Sequence, residues 1–193
     1  MGTPGVFLDR DGTIIEDVNY LSSLEEIRWL DGAKKAIRSL KDAGFSVVVV
    51  TNQSGVARGL FDENFVHKVH QRLNQDLTLA NTQIDAFYYC PHHPEIGSEG
   101  YRKICSCRKP QPGLILRAAQ ELGIDLERSY LIGDNVVDIR AALNAGVRPI
   151  LVLTGKGLRA RDELAQEAEL SQRLKIAPSI LHAVRWILKE DDG

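Results

Sequence analysis

Short apolar runs recur along the chain, and polar residues follow each of them. The runs at 6–8, 47–50, 86–89, 130–132 and 149–153 predict five buried strands. Between the runs, apolar residues recur at helical spacing, as they do at Ala33, Ala36, Ile37 and Leu40. Alternation of strands and helices predicts an α/β fold. We expect a doubly wound, mainly parallel five-stranded sheet with right-handed crossovers.

Typical boundary residues flank the predicted helices. Gly44 ends the first helix, and Asp62 caps a second that runs to about Ala80. Pro112-Gly113 begins a third helix, and Pro178 begins the last one. The polar segment between the fifth strand and Pro178 is also expected to be helical.

Two acids follow the first apolar run, in the string Val6-Phe7-Leu8-Asp9-Arg10-Asp11-Gly12-Thr13. In an open parallel sheet, ligands bind at the carboxyl ends of the strands. One carboxylate there could attack as a nucleophile while the other moves a proton. An acidic turn without chemistry is the alternative, because Asp-Gly is common in turns.

Three other predicted strands also end in polar residues. The second leads into 51–55 (Thr-Asn-Gln-Ser-Gly), whose hydroxyls and amides suit phosphate oxygens, although an ordinary polar loop has similar composition. The fourth ends at Asp134, with Asp138 one helical turn later, where an acid often only complements the helix dipole. The fifth ends near Lys156, which could reach a substrate anion or remain solvated. Parallel strand ends meet at one edge, so these residues should lie close together.

All three cysteines lie within 18 residues of one another. Cys90-x-His92 and Cys105-x-Cys107 each place two ligands on one face of an extended chain. Two such pairs can form a tetrahedral Cys₃His site, for which zinc is the natural ion, and four protein ligands make it structural. His93 could replace His92, and three free thiols are the alternative to a metal. A metal here would hold the two cations that follow, Arg108 and Lys109.

Composition limits the remaining possibilities. The chain has 193 residues, 44% hydrophobic and 26% charged, with a net charge of −2. We expect one domain spanning 1–193, with neither a nucleic-acid nor a membrane partner. No apolar run reaches the ~18 residues of a membrane span, and no signal peptide is recognised before the first strand. With an odd number of cysteines and no disulfide framework, the protein is expected to be cytoplasmic.

The strings at 9–13 and 51–55, followed by Lys109 and Asp134, resemble the four signatures of the haloacid dehalogenase-like (HAD) phosphatases, in the same order. The resemblance implies that Asp9 becomes an aspartyl-phosphate and that Asp11 is the general acid and base. Thr51 and Lys109 would stabilise the transferring phosphoryl group. Mg²⁺ would be held by Asp9, Asp134 and the backbone carbonyl of Asp11.

With the zinc loop at about 90–107, the sequence is similar to two groups of HAD phosphatases, which act on a heptose bisphosphate or on histidinol phosphate. Twelve residues separate His92 from Cys105, which favours the first group, since the loop is typically shorter in the second. No inserted cap domain fits between the predicted elements. The implied reaction removes the 7-phosphate of a heptose 1,7-bisphosphate, a step towards nucleotide-activated heptose.

The same resemblance implies which residues contact a small sugar bisphosphate. They are Asp17, Val18, Asn19, Tyr20, Thr51, Asn52, Gln53, Ser54, Arg108 and Lys109. The expected protein is a monomer with Mg²⁺ and Zn²⁺ as cofactors. A non-catalytic, zinc-stabilised module that binds a phosphorylated ligand remains the alternative of a different class. The anomer of the sugar and the roles of Asn135, Asp138 and Lys156 stay open at this stage.

Overall fold

The computed structural model describes residues 2–167, 170 and 174–191. Within these residues six strands form one sheet, with the order β3-β2-β1-β4-β5-β6 and every neighbouring pair parallel. The predicted α/β fold with a parallel sheet is therefore confirmed. The strands are β1 (Thr3–Leu8), β2 (Ser46–Asn52), β3 (Ala86–Cys90), β4 (Ile124–Gly133), β5 (Arg148–Val152) and β6 (Lys175–Ala177).

The prediction of five strands was wrong, because β6 adds a sixth at the edge of the sheet. This strand has three residues, of which only Ala177 is buried, so it has no apolar run to mark it. It lies in the segment that was expected to be helical. The fourth strand is also longer than its apolar run at 130–132, because polar residues occupy much of its first half.

Six helices, counted over the described residues, connect and cover the strands. The last ends at Asp191, and a short 3₁₀ turn spans Leu24–Glu26. No helix in these ranges combines the length and the apolar character that crossing a membrane requires. The helices are α1 (Ala33–Asp42), α2 (Glu63–Thr78), α3 (Gly113–Leu122), α4 (Val136–Ala145), α5 (Gly157–Leu164) and α6 (Ile180–Asp191).

Both faces of the sheet are buried, as the unbroken apolar runs predict. Successive side chains of a strand point to opposite faces. In β1, Val6 and Leu8 belong to a core packed with α1 and α6, and Phe7 belongs to a second core packed with α3 and α4. This burial fixes the direction of β1, so the residue that follows Leu8 is presented at a defined point on the carboxyl edge.

Candidate active site

A cavity of about 480 Å³ opens at the carboxyl edge of the sheet, above β1, β2 and β4. Residues from six separate segments of the chain meet there, as the predicted convergence of strand ends requires. The lining residues are Asp9, Asp11, Asp17, Asn19, Tyr20, Thr51, Asn52, Ser54, Arg108, Lys109, Pro110, Asp134, Asn135, Val137, Asp138 and Lys156.

A buried lysine lies at the centre of this cavity. Nζ of Lys109 is 2.6 Å from Oδ1 of Asp9 and 2.7 Å from Oδ1 of Asp138, and it donates a hydrogen bond to the carbonyl of Val50. Burial opposes the charged amine, but Asp138 and Asp9 hold the pKa of Lys109 above its usual range. The amine therefore stays a cation beside the candidate nucleophile.

Three carboxylates, those of Asp9, Asp134 and Asp138, lie close enough together to hold a metal, with one oxygen of each within 4.8 Å of the others. Burial, opposed by Lys109 and reinforced by Asp138 and Asp11, raises the pKa of Asp9 to about 7. Burial, reinforced by Asp9 and Asp138, raises the pKa of Asp134 to about 8. A divalent cation would favour both ionised forms, and carboxylate oxygens are the ligands that Mg²⁺ prefers. Both oxygens of Asp138 are engaged, one by Lys109 and the other by the backbone N–H of Asn135. Asp9 and Asp134 are therefore the acids that fit Mg²⁺ best.

Asp11 is held by two buried neighbours at the floor of the cavity. Nε and Nη2 of Arg10 lie 2.9–3.2 Å from both carboxylate oxygens of Asp11. Nε2 of Gln53 donates to Oδ2 of Asp11 and to Oγ1 of Thr51, each at 2.9 Å. Oε1 of Gln53 accepts from Arg10 at 2.9 Å. The four side chains thus form one network beneath the cavity.

The loop after β5 is packed directly against the acids of the site. Gly12 and Gly155 both have positive φ, and a Cβ on either would lie 2.1 Å from Oδ2 of Asp134. The same oxygen accepts the backbone N–H of Lys156 at 2.7 Å, and Thr154 donates its hydroxyl to the carbonyl of Gly12 at 2.6 Å. Glycine is required at both positions because of this close approach.

The side chain of Lys156 crosses the mouth of the cavity. Its Nζ lies 2.6 Å from a carboxylate oxygen of Asp17, and this pairing raises the pKa of the lysine. Half of the lysine side chain is exposed, whereas Asp17 is mostly buried. The ion pair therefore connects the loop after β1 to the loop after β5.

Cys90, His92, Cys105 and Cys107 are brought together next to the cavity, with their candidate ligand atoms within 4.8 Å of one another. The Sγ atoms are 3.2–3.5 Å apart, and Nδ1 of His92 lies 3.4 Å from Sγ of Cys107 and 3.6 Å from Sγ of Cys90. A tetrahedral zinc site with Zn–S bonds of ~2.3 Å has edges of ~3.8 Å, so the donors present fit zinc. His93 points elsewhere, since its Nδ1 accepts from the backbone N–H of Glu95.

Hydrogen bonds connect this cluster to the cavity. Arg108 donates to the carbonyl of His92 at 3.0 Å. The side-chain amide of Asn52 bonds both backbone polar groups of Lys109, at 3.0 and 3.1 Å. On the outer side, Nη2 of Arg58 lies 3.3 Å from Nε2 of His93, and its guanidinium lies over the ring of Tyr20. No spacing pattern in the sequence marked Arg58, and Arg10 belongs to the first string without a role that the sequence assigned to it.

Most residues predicted to contact substrate line the cavity, but two do not. Val18 is absent from the cavity lining and is exposed at 41%. Gln53 lies below the cavity floor at 4% exposure, where its amide is shared among Arg10, Asp11 and Thr51. Substrate contact by these two residues stays a prediction, because neither lines the cavity.

The parallel sheet, with an acid pair after its first strand and a lysine and a further acid converging on it, defines a hydrolase of the HAD-like class. Residues 106–182 match the family model described as HAD-hydrolase-like. The chain superposes on the crystal structure of D,D-heptose 1,7-bisphosphate phosphatase from B. bronchiseptica complexed with magnesium and phosphate. The TM-score is 0.85 at 34% identity, covering 97% of this chain and 99% of the other.

Sequence relatives narrow the class. The chain is 44% identical over 165 residues to D-glycero-β-D-manno-heptose-1,7-bisphosphate 7-phosphatase of Photorhabdus laumondii, covering 85% of this chain and 88% of that protein. It is 42% identical over 179 residues to the protein of the same name from Escherichia coli K12, covering 89% of this chain and 94% of that protein. The chain belongs to this family of HAD-like heptose bisphosphate phosphatases, which are phosphoric monoester hydrolases.

Proposed function

We propose that the chain removes the 7-phosphate of D-glycero-β-D-manno-heptose 1,7-bisphosphate in a Mg²⁺-dependent reaction through an aspartyl-phosphate on Asp9. The observation that carries this proposal is the 2.6 Å contact between Lys109 and Asp9 at the end of β1. It places a permanent cation beside a carboxylate that opens onto a cavity. The choice of sugar, of the phosphate that is removed and of the β anomer is based on the names of the relatives given above.

The first step transfers the phosphoryl group to the protein. A carboxylate oxygen of Asp9 attacks phosphorus, and the bond to the sugar oxygen breaks with its electron pair. Asp11 gives that oxygen a proton, so the sugar leaves as an alcohol. Lys109 and the hydroxyl of Thr51 stabilise charge on the transferring oxygens.

The second step regenerates the acid. Asp11 takes a proton from a water molecule, whose oxygen attacks phosphorus and displaces Asp9 as the carboxylate. Asp9 and Asp134, with the backbone carbonyl of Asp11, would hold the metal. When bound, Mg²⁺ neutralises charge between the carboxylates and the phosphate.

Recognition of the rest of the sugar falls to the loops around the cavity, because its mouth is open. Asp17, Asn19, Tyr20 and Arg108 are loop residues that line the cavity. Zinc bound by Cys90, His92, Cys105 and Cys107 would hold the loop that carries Arg108. A planar guanidinium suits the second phosphate of the substrate.

We further propose that the protein works as a single-domain monomer in the cytoplasm. The three cysteines support this compartment, since a reducing environment keeps thiols available to zinc. Size-exclusion chromatography with light scattering tests the monomer, and a mass of about twice the 21.4 kDa of the chain would contradict it.

The test is phosphate release with Mg²⁺ from a panel of phosphate esters. The panel contains both anomers of the heptose bisphosphate, fructose 1,6-bisphosphate, histidinol phosphate and a 3′-phosphorylated oligonucleotide. We expect the highest kcat/KM for the β anomer and no release by Asp9→Asn. A preference for histidinol phosphate would replace the proposed substrate. Absence of release from every ester by the folded, zinc-loaded protein would favour a module that only binds.

A further inference from the structure

Arg10 and Gln53 form a buried pair beneath Asp11, and neither has a part in the reaction steps described above. The inference drawn from this pair concerns the proton transfer of the proposed function, on which it rests. Arg10 is 2% exposed and Gln53 is 4% exposed, so neither can be solvated in place of its partners. The N–H groups of a buried guanidinium need hydrogen-bond acceptors. The fork of Arg10 against both oxygens of Asp11 supplies them and fixes the plane of the carboxyl group.

Gln53 further restricts the carboxyl group of Asp11 by hydrogen bonding. Its carbonyl oxygen accepts from Arg10, and its amide nitrogen has one N–H for Asp11 and one for Thr51. Reversing the amide would set an oxygen against the carboxylate and a nitrogen against the guanidinium, so only one orientation satisfies all three partners. The amide is therefore fixed, and it fixes both groups that it contacts.

The two oxygens of Asp11 consequently differ. Oδ2 accepts from Arg10 and from Gln53, which together occupy its two lone pairs. Among the described hydrogen bonds, Oδ1 accepts from Arg10 alone. One lone pair of Oδ1 remains for a proton.

The contact with Thr51 has a parallel consequence. Its hydroxyl oxygen accepts the N–H of Gln53 at 2.9 Å. A hydroxyl that accepts in this direction has its single proton free to be donated elsewhere. One amide thus prepares Thr51 as a donor to the phosphoryl group and Asp11 as the carrier of a proton.

We infer that Arg10 and Gln53 are positioning residues that make Oδ1 of Asp11 the atom that exchanges the proton. In the first step the O–H bond at Oδ1 breaks, its proton goes to the sugar oxygen, and that oxygen keeps the electron pair of the broken P–O bond. In the second step Oδ1 takes the proton of the attacking water. Oδ2 stays bonded to Gln53 throughout.

Two substrates with different leaving groups test this inference. A sugar alkoxide needs a proton to leave, whereas nitrophenolate does not. We expect Gln53→Met, which keeps the shape of the side chain, to lower the single-turnover rate of phosphoryl transfer from the heptose bisphosphate by about 10- to 100-fold. The hydroxyl of Thr51 keeps its proton in this variant and can still donate to the phosphoryl group. The pre-steady-state release of nitrophenolate from p-nitrophenyl phosphate should therefore fall by less than about 3-fold. Arg10→Lys, which keeps the charge but loses the fork, should show the same selectivity to a smaller degree.

Ser129→Ala is the matched control, since it removes buried hydrogen bonds at the opposite end of the sheet. Ser129 accepts from the backbone N–H of Gly5 at 2.8 Å. Both rates should be unchanged in this variant.

Two results in Gln53→Met with zinc retained would overturn the inference: an equal fall of the rate on both substrates, or no fall of the rate on either. If Gln53→Met does not fold, Arg10→Lys decides by the same comparison. Absence of Asp9-dependent release by the unaltered protein would instead reject the proposed function.

Discussion

Nζ of Lys109 lies 2.7 Å from Oδ1 of Asp138, and both side chains are almost completely buried. Asp138 stands in the first turn of α4, where its other oxygen accepts the backbone N–H of Asn135 at 3.0 Å in a capping box. The lysine that faces the nucleophile is thus joined to the helix that follows Asp134. This acid does more than complement a helix dipole.

Asp138→Asn should therefore impair both chemistry and folding. A neutral amide leaves the buried amine of Lys109 with Asp9 as its one charged partner, so the position of the amine shifts. We expect kcat to fall by about 10- to 100-fold and the free energy of unfolding to fall by about 3 kcal/mol. Steady-state kinetics and urea unfolding measure the two effects. The exposed control Asp162→Asn should change stability by less than about 0.5 kcal/mol, and equal behaviour of the two variants would contradict this prediction.

Loss of a zinc ligand should affect binding more than chemistry. In Cys105→Ala we expect zinc to be lost and the carbonyl of His92, which accepts from Arg108, to move. Lys109 keeps its contacts to Asp9 and Asp138, so KM for the bisphosphate should rise by about 10-fold while kcat changes less. Metal analysis and steady-state kinetics check this, with the exposed Ser106→Ala as the control that retains zinc. One zinc per chain in Cys105→Ala would refute the assignment.

His70 should contribute to the acid sensitivity of the fold. Burial, with smaller contributions from Arg10 and His67, lowers the pKa of His70 to about 3. The unfolded chain, with a usual histidine pKa of ~6.5, binds more protons in this range, so stability is full above pH ~6.5 and falls as the pH drops towards 3. The ring stacks on Phe87 at 4.5 Å, and its Nε2 has no hydrogen-bond partner among the described residues.

His70→Phe should keep the stacking and remove this proton linkage. Between pH 7.5 and 5 the unaltered protein should lose about 2 kcal/mol more stability than the variant. Urea unfolding at a series of pH values measures the difference. The exposed His182→Gln should retain the original slope, and a slope unchanged in His70→Phe would show that this histidine does not carry the effect.

Variants at Lys156 and Gly155 distinguish what the side chain of Lys156 does for substrate binding from what the loop backbone does for Asp134. In Lys156→Gln the backbone N–H can still bond Asp134, but the charge that pairs with Asp17 is gone. We expect KM to rise by about 3- to 10-fold with kcat nearly unchanged, and stability to change by less than about 0.5 kcal/mol.

In Gly155→Ala the added Cβ would collide with Asp134, so kcat and Mg²⁺ affinity should fall instead. Kinetics at varied Mg²⁺ distinguish the two, and similar profiles would contradict the distinction.

Sequence patterns located the strands that carry chemistry because those strands are apolar and end abruptly in polar residues. Asp9 and Asp134 meet as expected, since parallel strands deliver their carboxyl ends to one edge, and Lys109 reaches them from the loop between β3 and α3. Strand β6 was not predicted, because it has three residues at the edge of the sheet and only one of them is buried. Such a strand has no periodic pattern of apolar residues.

Contacts between distant loops could not be predicted in the same way. The pair Lys156–Asp17 and the amide of Gln53 beneath Asp11 depend on how two loops turn after leaving their strands. Loop conformation has no hydrophobic period, so spacing does not reveal it. The same limit applies to the side chain of Gln53, which lies below the cavity; the substrate contact that the family resemblance implies for this residue stays a prediction.

The central position of β1 has a consequence for the protein as it is synthesised. The backbone N–H of Asp9 donates to the carbonyl of Ile132 at 2.9 Å, so the nucleophile is seated only after β4 has been translated. Until then one edge of an apolar strand lacks its partner, and such edges favour association with other chains. A nascent chain that has emerged only through α3 is therefore expected to be inactive and prone to associate with other chains.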